Sequence, residues 1–145
     1  MKLLPIKQSI EENAEFMDNP DCENSLKMTI EYFNKIGYNP PWVGYFAEID
    51  GQLVGSAGFK GLSKDNSAEI AYGVFPAFQS QGLGTEICRQ MVILALKTDP
   101  TVNITARTLP EESHSTKILQ KNGFKLIGLI WDEEDGDVWE WVYRK

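Results

Sequence analysis

The run Gln79-Ser80-Gln81-Gly82-Leu83-Gly84-Thr85 joins an apolar strand-like stretch, residues 69–74, to a long apolar helix-like stretch that ends near Lys97. A strand that feeds a helix through two glycines leaves little freedom. Gly82 and Gly84 carry no side chain where a backbone must approach a ligand, and the first turn of the helix offers unpaired N–H groups and the positive end of its dipole. The junction reads as an anion cradle. The dipole alone contributes only about 0.3 to 2 kcal/mol per anion, so most of any affinity must come from other contacts. Two commoner glycine loops do not fit. A Walker loop needs lysine after its last glycine, where Thr85 stands, and a dinucleotide fingerprint needs a third glycine, where Ile87 stands. Such loops also usually close a first parallel strand, whereas here two strands joined by a tight hairpin come first.

At 145 residues the chain is expected to form one domain, long enough to bury about two thirds of its unfolded surface. A hydrophobic content of 42% with 24% charged residues is ordinary for a globular protein. The opening seven residues are too few and too charged for a signal peptide, and no apolar run approaches a membrane span. Cys22 and Cys88 share no metal-type spacing. Cys88 lies in an apolar helical pattern, which reads as reduced, buried and cytoplasmic, and Cys22 reads as a surface cysteine near a helix start. No metal is expected. A net charge of -7 argues against a nucleic-acid partner and favours cationic substrates.

Along the chain, residues 3–7 read as a first strand, and Ser9 with Glu12 as a capping box that opens a short helix ending before Pro20. Leu26, Ile30, Phe33 and Ile36 recur at helical spacing up to a stop at Gly37. Val43, Tyr45, Ala47 and Ile49 alternate, as do Leu53, Gly55, Ala57 and Phe59, with Asp50-Gly51 between them as a hairpin turn. The strand of the motif must stop near Pro76. The helix over 82–97 carries Leu83, Ile87, Met91 and Leu94 on one stripe, broadened by Val92, Ile93 and Leu96. Residues 102–107 read as a fifth strand. Ser113 or Ser115 opens a helix that stops at Asn122-Gly123-Phe124, with Gly123 as a left-handed cap. Two strands, 124–131 and 138–143, flank an acidic turn, and Trp139, Trp141 and Tyr143 share one face as core.

This order of elements, with the Gln-x-x-Gly-x-Gly loop, Glu69-Ile70-Ala71-Tyr72-Gly73-Val74 before it, Thr85-Glu86 after it, and Thr108 to Ser115 before Lys121-Asn122-Gly123-Phe124, resembles the GCN5-related N-acetyltransferase family. It is similar in particular to the branch that includes ribosomal-protein N-terminal acetyltransferases. The resemblance implies a mixed α/β fold: a mostly antiparallel, twisted sheet of about seven strands flanked by about four helices. It also implies an acetyl-CoA site, with the pyrophosphate on the amides of residues 81–85 and the pantetheine along the strand ending at Val74. The cofactor set is then Val74, Phe75, Gln79, Gln81, Gly82, Leu83, Gly84, Thr85 and Ser113. Relatives often carry a cation where Gln79 and Gln81 stand, so phosphate binding here would rest on neutral amides. A strand edge splayed near Gly73 would pair with the amide groups of the ligand.

Acetyl transfer to an amine needs an uncharged nucleophile, a stabilised oxyanion and a departing thiolate. Glu69 is the candidate base, in an apolar strand where burial would favour its neutral form, and a backbone N–H near Val74 is the candidate oxyanion donor. Many family members protonate the thiolate with a tyrosine at the position of Leu119. Ser115 is the candidate substitute; its other reading is an N-cap. His114, the only histidine, reads as a solvated loop residue or a proton shuttle, and the run 132–137 as a charged hairpin turn, which would attract an ammonium if it overhangs the acceptor mouth as the resemblance suggests. Tyr32 and Phe33 read as helix packing, in a region that walls the acceptor site in relatives. The expected activity is transfer of acetyl to a primary amine. The acceptor would be a protein N-terminal α-amine or a small cationic metabolite or antibiotic, and a non-catalytic acetyl-CoA sensor is the remaining alternative. A monomer or homodimer would serve either activity.

Overall fold

The computed structural model describes residues 1–62 and 65–145. Seven strands form one sheet in the order β1-β2-β3-β4-β5-β7-β6: β1 Lys2–Pro5, β2 Gly44–Ile49, β3 Gln52–Leu62, β4 Ser67–Val74, β5 Asn103–Thr108, β6 Phe124–Asp132 and β7 Gly136–Tyr143. All neighbouring pairs run antiparallel except β4 with β5. The parallel pair requires a crossover, which α2, Leu83–Thr98, supplies. A 3-10 helix, Glu11–Phe16, and α1, Pro20–Ile36, cover one face; α2 and α3, His114–Lys121, cover the other. The mixed α/β architecture expected from the sequence is the one observed.

Local signals account for most of these elements. Asn19 caps α1 by accepting a hydrogen bond from the Asp21 amide, Pro20 starts the helix without needing its missing N–H, and Gly37 ends it at φ +92°. Asp50 and Gly51 both take positive φ, as a two-residue hairpin turn matched to strand twist demands. At the far end Gly123 adopts φ +86°, the left-handed stop that ends a helix, and Phe124 is buried with its ring 5.5 Å from that of Tyr143.

Several expectations are corrected. Ser9 does not cap a helix: its hydroxyl donates to the Glu12 carboxylate at 2.8 Å, and Ile10 occupies the cap position without a side-chain bond. Buried Asn13 organises the segment instead, because its amide donates to the carbonyls of Lys7 and Ser9 while its oxygen accepts from the Lys7 N–H. Strand β2 does not alternate between core and solvent, since Gly44, Tyr45, Phe46 and Ala47 are all buried, as happens when helices cover both faces. The stripe on α2 is also rotated from expectation. Gly84, Ile87, Cys88, Met91, Val92 and Ala95 are buried, while Ile93 is exposed. Small residues at 84, 88 and 95 let the helix approach the sheet, and burial of Ile87 and Met91 stabilises that docking by about 1.5 to 3 kcal/mol each. Cys22 is likewise a core residue, and burial, with the nearby Asp21 charge, pushes its thiol up to about 11. Trp141 lies in the core as expected, its indole N–H donating to Thr108 at 3.0 Å, with Trp139 and Tyr143 half-buried beside it. No helix among the described residues is long and apolar enough to cross a membrane.

Candidate functional site

Strands β4 and β5 pair only from Ser67↔Asn103 to Ile70↔Ala106 and then part. On its other edge β4 stays paired to β3 as far as Val74↔Gly55. The Phe75 N–H donates to the Val54 carbonyl at 2.9 Å. Bonded and non-bonded pairs alternate along an antiparallel ladder, so Gly73 and Ala71 bond to β3 whereas Tyr72 and Val74 turn their N–H and C=O groups toward the split. This is the splayed edge expected near Gly73. The Val74 carbonyl is met by the Gln79 side-chain amide at 3.2 Å.

The split opens into a cleft of about 390 Å³ lined by Tyr72, Gly73, Val74, Phe78, Gln79, Ser80, Gly82, Leu83, Gly84, His114, Ser115 and Ile118. Gly82 is the N-cap of α2 in a left-handed conformation, φ +77°, and the first amides of the helix it opens have no intrahelical partners. Ser80 is also left-handed, φ +66°, a loop feature that its residue type does not announce. The two glycines have different roles. A Cβ on Gly82 would meet nothing within 4 Å, whereas one on Gly84 would stand 2.8 Å from Cδ1 of Ile118. Gly84 is therefore a packing glycine between α2 and α3. Phe75 does not line the cleft: its amide is bonded to Val54, and its ring is buried 6.3 Å from that of Phe46.

Ser113 opens α3. Its hydroxyl accepts from the Thr116 N–H at 3.3 Å while the Thr116 hydroxyl accepts from the Ser113 N–H at 2.9 Å, which satisfies two helix-end donors reciprocally. Ser115, in the first turn, is exposed and borders the cleft beside His114, so its N-cap reading falls. Leu119 is buried and cannot donate a proton. Tyr72 borders the cleft, but its hydroxyl shares a hydrogen bond with the buried Cys88 thiol, and burial raises its pKa well above the ordinary tyrosine value.

Two chambers lie on the α1 face, beyond Tyr72 and Gly73. One, about 480 Å³, is mostly apolar, with Met28, Phe33, Phe59, Ala57 and Ala71 in its wall. The other, about 720 Å³, is polar and anionic, lined by Glu69, Asp132, Glu133, Glu134 and Glu140 with Lys60 and Arg107. Tyr32, Lys60 and Glu134 belong to both. The expected apolar surrounding of Glu69 is overturned. Its carboxylate lies 3.1 Å from the Lys60 ammonium and 3.5 Å from Nε of Arg107. Arg107 also donates to Asp132 at 2.8 Å and stands 3.5 Å from Glu140.

Nor is the acidic run after β6 merely a solvated turn. Asp132 is nearly buried; the Arg107 hydrogen bond first, and then the Glu134 and Asp135 amides, hold its carboxyl down at about 2. Tyr32, expected to pack α1 in a region that walls the acceptor site in relatives, lines both chambers and donates from its hydroxyl to the Lys60 carbonyl at 3.3 Å. Lys60 and Arg107 belong to no motif, and their place in strand patterns near Glu69 is the signal the chain carries for them. No group of three or more His, Cys, Asp or Glu is arranged for a metal ion among the described residues.

Residues 3–125 match the family model described as Acetyltransferase (GNAT) domain. Among solved structures, aminoglycoside acetyltransferase AAC(6')-Ib in complex with coenzyme A is similar at 21% identity and a TM-score of 0.63, covering 71% of this chain and 66% of that one. The chain thus spans just under two thirds of that protein's length. A chimera of the spermidine N-acetyltransferase SpeG from Vibrio cholerae with hSSAT is similar at 15% identity and a TM-score of 0.75, covering 99% and 96% of the two chains.

Proposed function

The chain belongs to the acetyltransferase (GNAT) domain family, and from that premise we propose that it transfers the acetyl group of acetyl-CoA to a primary amine of a small cationic acceptor. One observation carries the reading. The β4–β5 ladder stops at Ile70↔Ala106, which leaves the Tyr72 and Val74 backbone groups facing a cleft that ends at the open first turn of α2. An extended donor with amide groups pairs with such an edge as a further strand would, and a pyrophosphate suits the amides of residues 83–85 and the conformation of Gly82.

Bound acetyl-CoA supplies a thioester carbonyl and a thiolate leaving group. The Val74 or Tyr72 N–H, fixed by the sheet, is placed to stabilise an oxyanion without reorganisation. Glu69, on the opposite face of β4 from Tyr72, is placed to receive an ammonium and take its proton. Ser115, exposed at the cleft, is the hydroxyl proposed to protonate the thiolate. A thiol with an ordinary pKa near 8.5 needs little such help.

The anionic chamber favours a small polycation, which accords with the spermidine and aminoglycoside enzymes of the same fold. A polypeptide N-terminus is the second reading, because roughly a tenth of an α-amine with pKa near 8 is free base at neutral pH, against well under a thousandth of a lysine side chain. Release of CoA thiol with a polyamine, an aminoglycoside and a peptide α-amine as acceptors tests the proposal. Faster turnover on the polyamine or aminoglycoside supports it, and turnover on the peptide alone replaces the acceptor class. The absence of calorimetric binding of acetyl-CoA at millimolar concentration removes the activity altogether.

A further inference from the structure

Lys60 and Arg107 both neutralise Glu69, but they are held differently. Arg107 touches three carboxylates and is anchored to Asp132 at 2.8 Å. Lys60 makes one ion pair among the described residues, to Glu69, and its side chain keeps 41% of its exposure. The backbone beneath it is irregular as well. The β3–β4 register skips between Phe59 and Leu62, and Gly61 takes φ +77°. Lys60 is therefore the exchangeable cation of the pair, at the boundary of the two chambers and carried on a long flexible stem.

An acceptor amine reaches the site as an ammonium, since free amines of this kind titrate above neutral pH. To lose its proton to Glu69 it must come within hydrogen-bond distance of the carboxylate. The Lys60 ammonium, 3.1 Å from Oε2, already stands there. We propose that Lys60 is a place-holder for the acceptor ammonium: it occupies Glu69 in the resting protein, is displaced when the acceptor binds, and so sets how strongly a cation must interact to enter. This rests on the reading of the chamber as the acceptor site. Although burial of its stem opposes the charge, Glu69, Asp132 and Glu134 together hold the Lys60 pKa above its ordinary value, so the group to be displaced is a cation.

The test is a calorimetric titration of the CoA-saturated protein with 1,4-diaminobutane, backed by initial rates with the same acceptor. Lys60→Met keeps the stem and removes the competitor, so diamine binding should tighten about two- to fivefold, the range for a partly exposed ion pair. The acceptor KM should fall by the same factor, with the acetyl-CoA KM unchanged. Lys60→Arg keeps the charge and can grip a carboxylate with two N–H groups, so it should bind the diamine no better than the parent protein.

In a Glu69→Gln background the gain from Lys60→Met should vanish, because competition needs the shared carboxylate; a general field effect would survive there. Equal or weaker diamine binding by a normally melting Lys60→Met, or no binding by either protein, overturns the proposal. Tightened binding without turnover on any amine would leave the place-holder standing and overturn the catalytic reading instead.

Discussion

The cleft beside α2 shares Tyr72 and Gly73 with the apolar chamber beside α1, and that chamber shares Tyr32, Lys60 and Glu134 with the anionic one, yet the cleft and the anionic chamber are built by different means. The cleft is backbone. Its groups are the free edge of β4, the left-handed turn at Gly82 and the first amides of α2, with few charged side chains. The anionic chamber is side chains: Lys60 from β3, Glu69 from β4, Arg107 from β5, Asp132 from β6 and Glu140 from β7. Backbone groups fixed by a sheet suit a donor whose shape does not vary. Charged side chains on five strands can be changed without disturbing the sheet, which is where selection among acceptors can act. Substitutions on the two sides should therefore separate donor binding from acceptor binding.

The largest effect is expected at Glu69. Glu69→Gln should lower turnover by about 10² to 10⁴ if this carboxylate takes the proton. Calorimetric affinity for acetyl-CoA should change little, because the side chain lines the anionic chamber and not the cleft. A comparable loss of acetyl-CoA affinity would mean that the two sides are not independent.

Next are the two glycines of the loop. Gly84→Val should destabilise the protein by about 1 to 3 kcal/mol, since the new side chain must displace Ile118 between two packed helices. Gly82→Val should cost roughly 1–2 kcal/mol from left-handed strain alone. It should also abolish acetyl-CoA binding, by crowding the space above the helix start. Melting curves with and without acetyl-CoA check both. A Gly84→Val protein that keeps its melting temperature would place that glycine back in the ligand site.

These outcomes bear on how far the site could be read from residues alone. The cleft was legible because its signals are local. Two glycines between a strand pattern and a helix pattern, a proline closing the strand, and Gly123 before Phe124 all act within a few positions. The packing role of Gly84 was not legible, because it depends on Ile118, far away along the chain. The chamber was harder still. Its residues come mostly singly from five strands with no common spacing, and only the net charge and the acidic run 132–137 hinted at an anionic site. In β2 the pattern was uninformative, since helices cover both faces and Gly44 to Ala47 are all buried.

A smaller effect separates Ser113 from Ser115. Both lie near the start of α3, and spacing alone could not say which caps it; the extended backbone of Ser113 and its reciprocal bonds with Thr116 decide the matter. Ser113→Ala should cost about 0.5 to 2 kcal/mol. Ser115→Ala should change stability by less than about 0.5 kcal/mol, as exposed substitutions usually do. If Ser115 protonates the thiolate, its loss should lower turnover on acetyl-CoA and be rescued by a donor with a more acidic thiol. Thermal melting of the two variants, followed by rates with both donors, tests these outcomes, and a failed rescue would leave the leaving group to solvent.

The smallest effect concerns the frame of the chamber. Asp132 has its folded pKa depressed to about 2 by the Arg107 hydrogen bond and the two turn amides, whereas in the unfolded chain it titrates near an ordinary value of about 3.9. A carboxyl with a depressed folded pKa stabilises the fold above its unfolded value, and that contribution is lost as pH falls through the folded value. Asp132→Asn should therefore lower the melting temperature by a similar amount at pH 7 and pH 5. The difference from the parent protein should shrink between about pH 4 and pH 2. Because Arg107 would keep Glu69 and Glu140, the variant should raise the acceptor KM while leaving acetyl-CoA affinity alone. A melting difference that persists unchanged at pH 2 would mean that Asp132 acts through packing of the turn, and that the chamber is not held in place by charge.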